Sequence, residues 1–131
     1  MKILLAGGAG FIGSHLCDLL LERGHHVICV DNLITGDIKN IKHNLQNKRV
    51  EFLKHDIIKP LKISGRIDFI LHFASPASPV DYMNYPLETL DAGSIGTKNL
   101  LDLAKKKKAK FIMASTSEVY GSPLNGDAID E

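Results

Sequence analysis

Residues 3–6, Ile-Leu-Leu-Ala, form an unbroken apolar run with no polar alternation. That is the pattern of a strand buried on both faces of a parallel sheet. Glycines at 7, 8, 10 and 13 follow at once, and the period then becomes helical. Phe11, Ile12, Leu16, Leu19 and Leu20 fall on one stripe, while His15, Asp18 and Glu22 face away and Gly24 suits a C-terminal cap. A second apolar run, Val27–Val30, ends at Asp31, and residues 38–45 carry a weaker helical pattern. Val50–Leu53 and Asp68–Phe73 read as strands three and four. The stretch Ala74-Ser75-Pro76-Ala77-Ser78-Pro79 holds two prolines, which predict a stiff exposed loop at the carboxyl end of strand four. A long helix over 86–107 and a fifth strand over 110–114 complete the pattern. Strands alternating with helices predict an α/β fold, a Rossmann-type doubly wound parallel sheet with right-handed crossovers that breaks off after about five strands.

Composition adds boundaries rather than detail. The 131 residues suit one core, and no linker, repeat or low-complexity tract divides them. No apolar run approaches the ~18 residues of a membrane span. The opening Met1-Lys2-Ile3-Leu4-Leu5 begins as a signal peptide would, but glycines interrupt it; a cytoplasmic location without membrane association is expected. A formal charge of +1 speaks against nucleic acid as a partner. The run Lys105–Lys108 fits the C-terminal end of the long helix, where cations favour the helix dipole. Cys17 and Cys29 lack metal-ligand spacing and read as reduced core residues, so no metal site is expected.

The candidate chemistry begins in the glycine turn. Gly7-Gly8-Ala9-Gly10-Phe11-Ile12-Gly13 satisfies G-x-G-x-x-G through Gly8, Gly10 and Gly13, and G-x-x-G-x-x-G through Gly7, Gly10 and Gly13. Such glycines permit a tight turn, a close approach of backbone to pyrophosphate, and close packing of helix on strand. The motif gains weight here because it lies between a strand and a helix and because Asp31, at the end of strand two, stands where a carboxylate meets the ribose hydroxyls of a dinucleotide. That carboxylate selects NAD over NADP, since a 2′-phosphate would meet a like charge and no arginine lies between Asp31 and Lys48.

With these residues assembled, the chain resembles the extended short-chain dehydrogenase family of NAD-dependent epimerases and dehydratases, and within it the UDP-glucuronate decarboxylase group, also called UDP-xylose synthases. The likeness rests on Gly7–His15, on Val30-Asp31-Asn32 with Thr35-Gly36, on His55-Asp56-Ile57, on residues 74–79, and on Ala114–Gly121. Ala6 departs from the threonine usual before the first glycine. The resemblance implies that residues 1–131 form an NAD-binding Rossmann domain, incomplete and lacking a C-terminal substrate domain. It places Gly10, Phe11 and Ile12 against the pyrophosphate within a cofactor site that also holds Gly7 and Gly13, Asp31, Asn32, Thr35 and Gly36 around the adenosine ribose, and Asp56 and Ile57 at adenine. Ala74 and Ser75 would line the cofactor beyond strand four, and Asn99 would touch the nucleotide portion of the substrate.

The same resemblance implies a reaction in which NAD oxidises the sugar of UDP-glucuronate at C4. The carboxylate then lies beta to a ketone, carbon dioxide leaves, the resulting enolate is protonated, and returned hydride yields UDP-xylose without net redox. Thr116, Ser117 and Glu118 form a polar cluster past strand five, the edge where ligands sit in open α/β sheets; by resemblance Thr116 bonds the hydroxyl being oxidised, and Ser117 and Glu118 serve decarboxylation and proton handling. A related dehydratase pattern has aspartate at position 117, and serine supplies no comparable acid. The family's Tyr-x-x-x-Lys pair is missing, because Pro86, Thr89 and Leu124 stand four residues after Tyr82, Tyr85 and Tyr120; negligible turnover by this chain alone is expected. A 4-epimerase or 4,6-dehydratase, and a non-catalytic NAD-binding module, are the alternatives. The family also implies a homodimer formed through the long helix, with Leu100, Leu101 and Leu103 divided between core and interface.

Overall fold

The computed structural model describes residues 1–121. Five parallel strands form one sheet: β1 (Lys2–Ala6), β2 (His26–Asp31), β3 (Val50–Lys54), β4 (Phe69–His72) and β5 (Lys110–Met113). Their spatial order is β3-β2-β1-β4-β5, which bears out the doubly wound α/β expectation. The chain builds outward from β1 in one direction and then restarts beside β1 in the other. The gap between β1 and β4 is therefore the topological switch point, beside which open α/β sheets bind ligands.

Strand apolarity follows from burial on both faces. Leu4 and Ala6 of β1 join Ile28, Val30 and Ile70 in one core, closed by Leu100, Leu103 and Ala104 of helix α4 (Thr97–Lys107). Leu5, Val27 and Cys29 point the other way and meet Cys17 and Leu21 of helix α1 (Phe11–Glu22), with Ile41 from a 3-10 helix over Ile38–Asn44. Cys17 and Cys29 are buried free thiols, with Cys29 donating to Cys17 at 3.5 Å. That hydrogen bond and burial push the Cys29 thiol well above the usual range, which keeps it protonated.

Three expectations need correction. The buried face of α1 is Gly13, Ser14, Cys17 and Leu21, whereas Phe11 is 79% exposed and Ile12 58%. The helix begins so close to the glycine turn that small residues, not large ones, make the contact. Hydrogen bonds from Gly24 N–H to Leu21 and from His25 N–H to Leu20 close its other end. The expected long helix is α3 (Pro86–Asp91), a π-helical turn (Ala92–Gly96) and α4 in succession, because Ala92-Gly93-Ser94 carries no large side chain to hold the α period. Finally, the proline loop is only partly exposed. Pro76 is buried, and Pro79 is the first residue of a short helix, α2 (Pro79–Asn84), whose cap Ser78 accepts from the Asp81 amide. Leu100 and Leu103 belong to the core and Leu101 is exposed.

Candidate cofactor site

The carboxyl ends of β1, β2 and β4 converge on an open cleft of about 100 Å³. Its near wall is the glycine turn. Gly7 N–H donates to the Val30 carbonyl at 2.8 Å and Gly10 N–H to the Gly7 carbonyl at 3.1 Å, which folds the turn tightly over the end of β2. A Cβ on Gly13 would collide with the Gly7 carbonyl oxygen, so the first turn of α1 approaches the strand only because residue 13 is glycine. The first α-helical bond runs from Ser14 N–H to the Gly10 carbonyl at 3.0 Å. No side chain caps the residue preceding α1, so the amides of Phe11, Ile12 and Gly13 lie before the first helical bond, as an anion cradle requires.

Asp31 anchors the other side. The residue is 8% exposed, and its carboxylate accepts from Ala9 N–H and from Leu33 N–H, both at 2.9 Å. One side chain thus ties the end of β2 to the glycine turn and to the following loop, and it still lines the cleft. The bond to Leu33 holds that residue at φ +64, a conformation uncommon for a branched side chain. Asn32 accepts from Ile34 N–H at 3.0 Å and donates to Asp56 at 3.1 Å, while Asp56 also accepts from Ile58 N–H at 3.1 Å. The two acidic residues are thereby set in one continuous wall.

Ten of the thirteen residues expected at the cofactor line this cleft: Gly7, Gly10, Asp31, Asn32, Thr35, Gly36, Asp56, Ile57, Ala74 and Ser75. Phe11, Ile12 and Gly13 do not line it and stand at the start of α1. Asn99 is not on the cleft either; its side chain donates to the Ile57 carbonyl at 2.9 Å from behind the wall. Thr116 is exposed past the end of β5, outside the cleft lining. Ser117 and Glu118 open a 3-10 turn over Ser117–Tyr120, and their side chains lie outside what the structure describes. Glu88, Asp91 and Ala92 also line the cleft, and sequence reasoning missed them. They reach it from α3 and the π turn, and the only signal was the loss of large apolar residues at 92–94.

The donor set fits a dinucleotide. The glycine-rich turn would take a pyrophosphate, the buried Asp31 carboxylate would accept from ribose hydroxyls, and apolar Ile57 with Asp56 would offer an edge for a base. Among the described residues no cluster of His, Cys, Asp and Glu is arranged to hold a metal ion, and no helix is long and apolar enough to cross a membrane.

Comparison with known proteins agrees with this geometry. Residues 3–131 match the NAD dependent epimerase/dehydratase family. UDP-glucuronic acid decarboxylase 1 of Danio rerio is 50% identical over 122 residues, 93% of this chain and 29% of that protein. UDP-glucuronic acid decarboxylase 4 of Arabidopsis thaliana is 44% identical over 130 residues, 99% of this chain and 29% of that protein. The chain therefore spans less than a third of the length of these relatives. Among solved structures, the UDP-glucose 4-epimerase of Thermus thermophilus complexed with NAD superposes with a TM-score of 0.79 at 30% identity, over 100% of this chain and 43% of that one. The UDP-N-acetylglucosamine 4-epimerase of Methanobrevibacter ruminantium gives a TM-score of 0.84 at 29% identity, over 98% and 42%. With its glycine turn, buried Asp31 and switch-point cleft, the chain belongs to the NAD-dependent epimerase/dehydratase family.

Proposed function

We propose that this chain binds NAD in the switch-point cleft and forms the cofactor-binding part of a nucleotide-sugar decarboxylase acting on UDP-glucuronate. The observation that carries the cofactor is Asp31, held by two backbone amides with its carboxylate on the cleft. A ribose diol can donate to the lone pairs that remain, whereas a 2′-phosphate meets negative charge. Bound NAD supplies a hydride acceptor for a sugar carbinol and returns the hydride later. The chain's own part is to hold pyrophosphate on the α1 amides, fix the ribose at Asp31 and wall off the base with Ile57. Thr116, Ser117 and Glu118 are proposed to act on the sugar, Thr116 by bonding the hydroxyl undergoing oxidation and the other two in proton handling. None of Tyr82, Tyr85 or Tyr120 has a lysine four residues on, so these 131 residues are expected to bind cofactor without turning over.

Decarboxylation is favoured over 4-epimerisation because the decarboxylases share 44–50% identity and the superposing 4-epimerases 29–33%. The full-length gene product, given UDP-glucuronate, should release carbon dioxide and form UDP-xylose. Epimerised uronate with no carbon dioxide would establish the epimerase reading instead. Self-association through the long helical segment is proposed as well, because Leu87, Leu90 and Leu101 are 71%, 65% and 46% exposed along it.

A further inference from the structure

His72 is a buried titratable residue with no part in the chemistry above, 3% exposed at the end of β4. Its ring bridges segments far apart in sequence. Ala74 N–H donates to Nδ1 at 3.3 Å, so Nδ1 carries no proton and Nε2 does; Nε2–H then donates to Thr97 Oγ1 at 3.0 Å. Phe111 of β5 packs edge-on against the ring with centroids 6.4 Å apart.

The Ala74 amide matters because of what lies on its other side. A Cβ on Gly7 would stand 2.5 Å from the Phe73 oxygen and 2.7 Å from the Ala74 nitrogen. The Phe73–Ala74 peptide is thus pressed against the first glycine of the phosphate-facing turn, and both Phe73 and Ala74 line the cleft. We propose that His72 is a positioning residue for the cofactor: its Nδ1 holds the Ala74 amide, and so keeps the Phe73–Ala74 peptide seated against Gly7 as a wall of the cleft. This rests on the NAD reading above. An apolar residue at 72 would fill the same space but leave the part-buried Ala74 amide without its acceptor, and the Phe73–Ala74 peptide would keep only the bond from Ser75 N–H to the Phe73 carbonyl.

The two ring contacts can be separated by substitution. His72→Asn places a carbonyl oxygen where Nδ1 stands and keeps the Ala74 acceptor while losing Thr97. His72→Gln reaches the Nε2 position and does the reverse, and His72→Phe loses both. NAD affinity by calorimetry and exchange of the Ala74 amide by NMR are the readouts. His72→Asn should bind NAD within about threefold of wild type with Ala74 protected; His72→Gln and His72→Phe should bind about tenfold or more weakly, with Ala74 exchanging rapidly. Wild-type affinity in His72→Gln, or losses in all three variants that follow only their loss of Tm, would overturn the proposal. A wild-type ring found by 15N NMR with its proton on Nδ1 would do so without any variant. Failure of the wild-type chain to bind a dinucleotide would remove the cofactor reading and this role together, whereas binding that His72→Gln leaves unchanged would remove this role alone.

Discussion

Asp31 serves structure and ligand with one carboxylate. Replacing it by asparagine puts an NH₂ group opposite one of two backbone donors, so Ala9 or Leu33 loses its acceptor. Asp31→Asn should therefore lower stability by about 1–3 kcal/mol in thermal or urea unfolding and weaken NAD binding at least tenfold. A variant as stable as wild type would show that these bonds are incidental. Gly13→Ala should cost about 1–3 kcal/mol, since the added methyl must displace the Gly7 backbone. Both residues were legible in the sequence because a tight turn and an acidic strand end leave fixed spacings. Asn99 was not legible in its present setting. Its bond to the Ile57 carbonyl spans 42 positions, and nothing local announces it.

At the level of elements, apolar runs marked the central strands β1, β2 and β4, which are covered on both faces, whereas β3 and β5 at the sheet edges carry exposed Glu51, Ile112 and Met113. Helix facing was harder. In α1 Phe11, Ile12 and Leu19 of the expected stripe proved exposed while Leu16 and Leu20 pack partly against the core, since contact with the glycine turn selects for small side chains and periodicity weighs only large ones. The π turn at Ala92–Gly96 was invisible for a related reason: Ala92-Gly93-Ser94 carries no large side chain, and Thr97, which follows the turn, is bonded by His72 of β4, 25 positions away. That histidine also makes a pH prediction. Burial lowers its pKa in the folded state, so the unfolded chain takes up the proton first as pH falls. Its contribution to stability is complete above the ordinary imidazole value of about 6.5 and is lost as pH drops through that value towards the lowered folded one. Thermal unfolding of wild type should show this loss, and His72→Asn should lack that component; identical pH dependence in the two proteins would contradict it. Leu100→Ala, in the α4 core face at 1% exposure, should cost about 2–5 kcal/mol.

For the whole molecule, the doubly wound parallel sheet followed from strands alternating with helices, whereas the order β3-β2-β1-β4-β5 and its switch point came from the structure. Occupants of the outer surfaces did not follow, because sequence does not separate a core leucine from an interface leucine. The structure divides them, leaving Leu101 outside and Leu100 and Leu103 within. Leu101→Glu should leave the fold intact and shift any dimer seen by light scattering towards monomer. Everything functional nevertheless depends on the cleft accepting NAD. The most direct measurement is calorimetric titration of the folded chain with NAD and with NADP. The account predicts NAD binding at least tenfold tighter than NADP, with that preference lost in Asp31→Ala; a folded chain that binds the two equally, or binds neither, would contradict it.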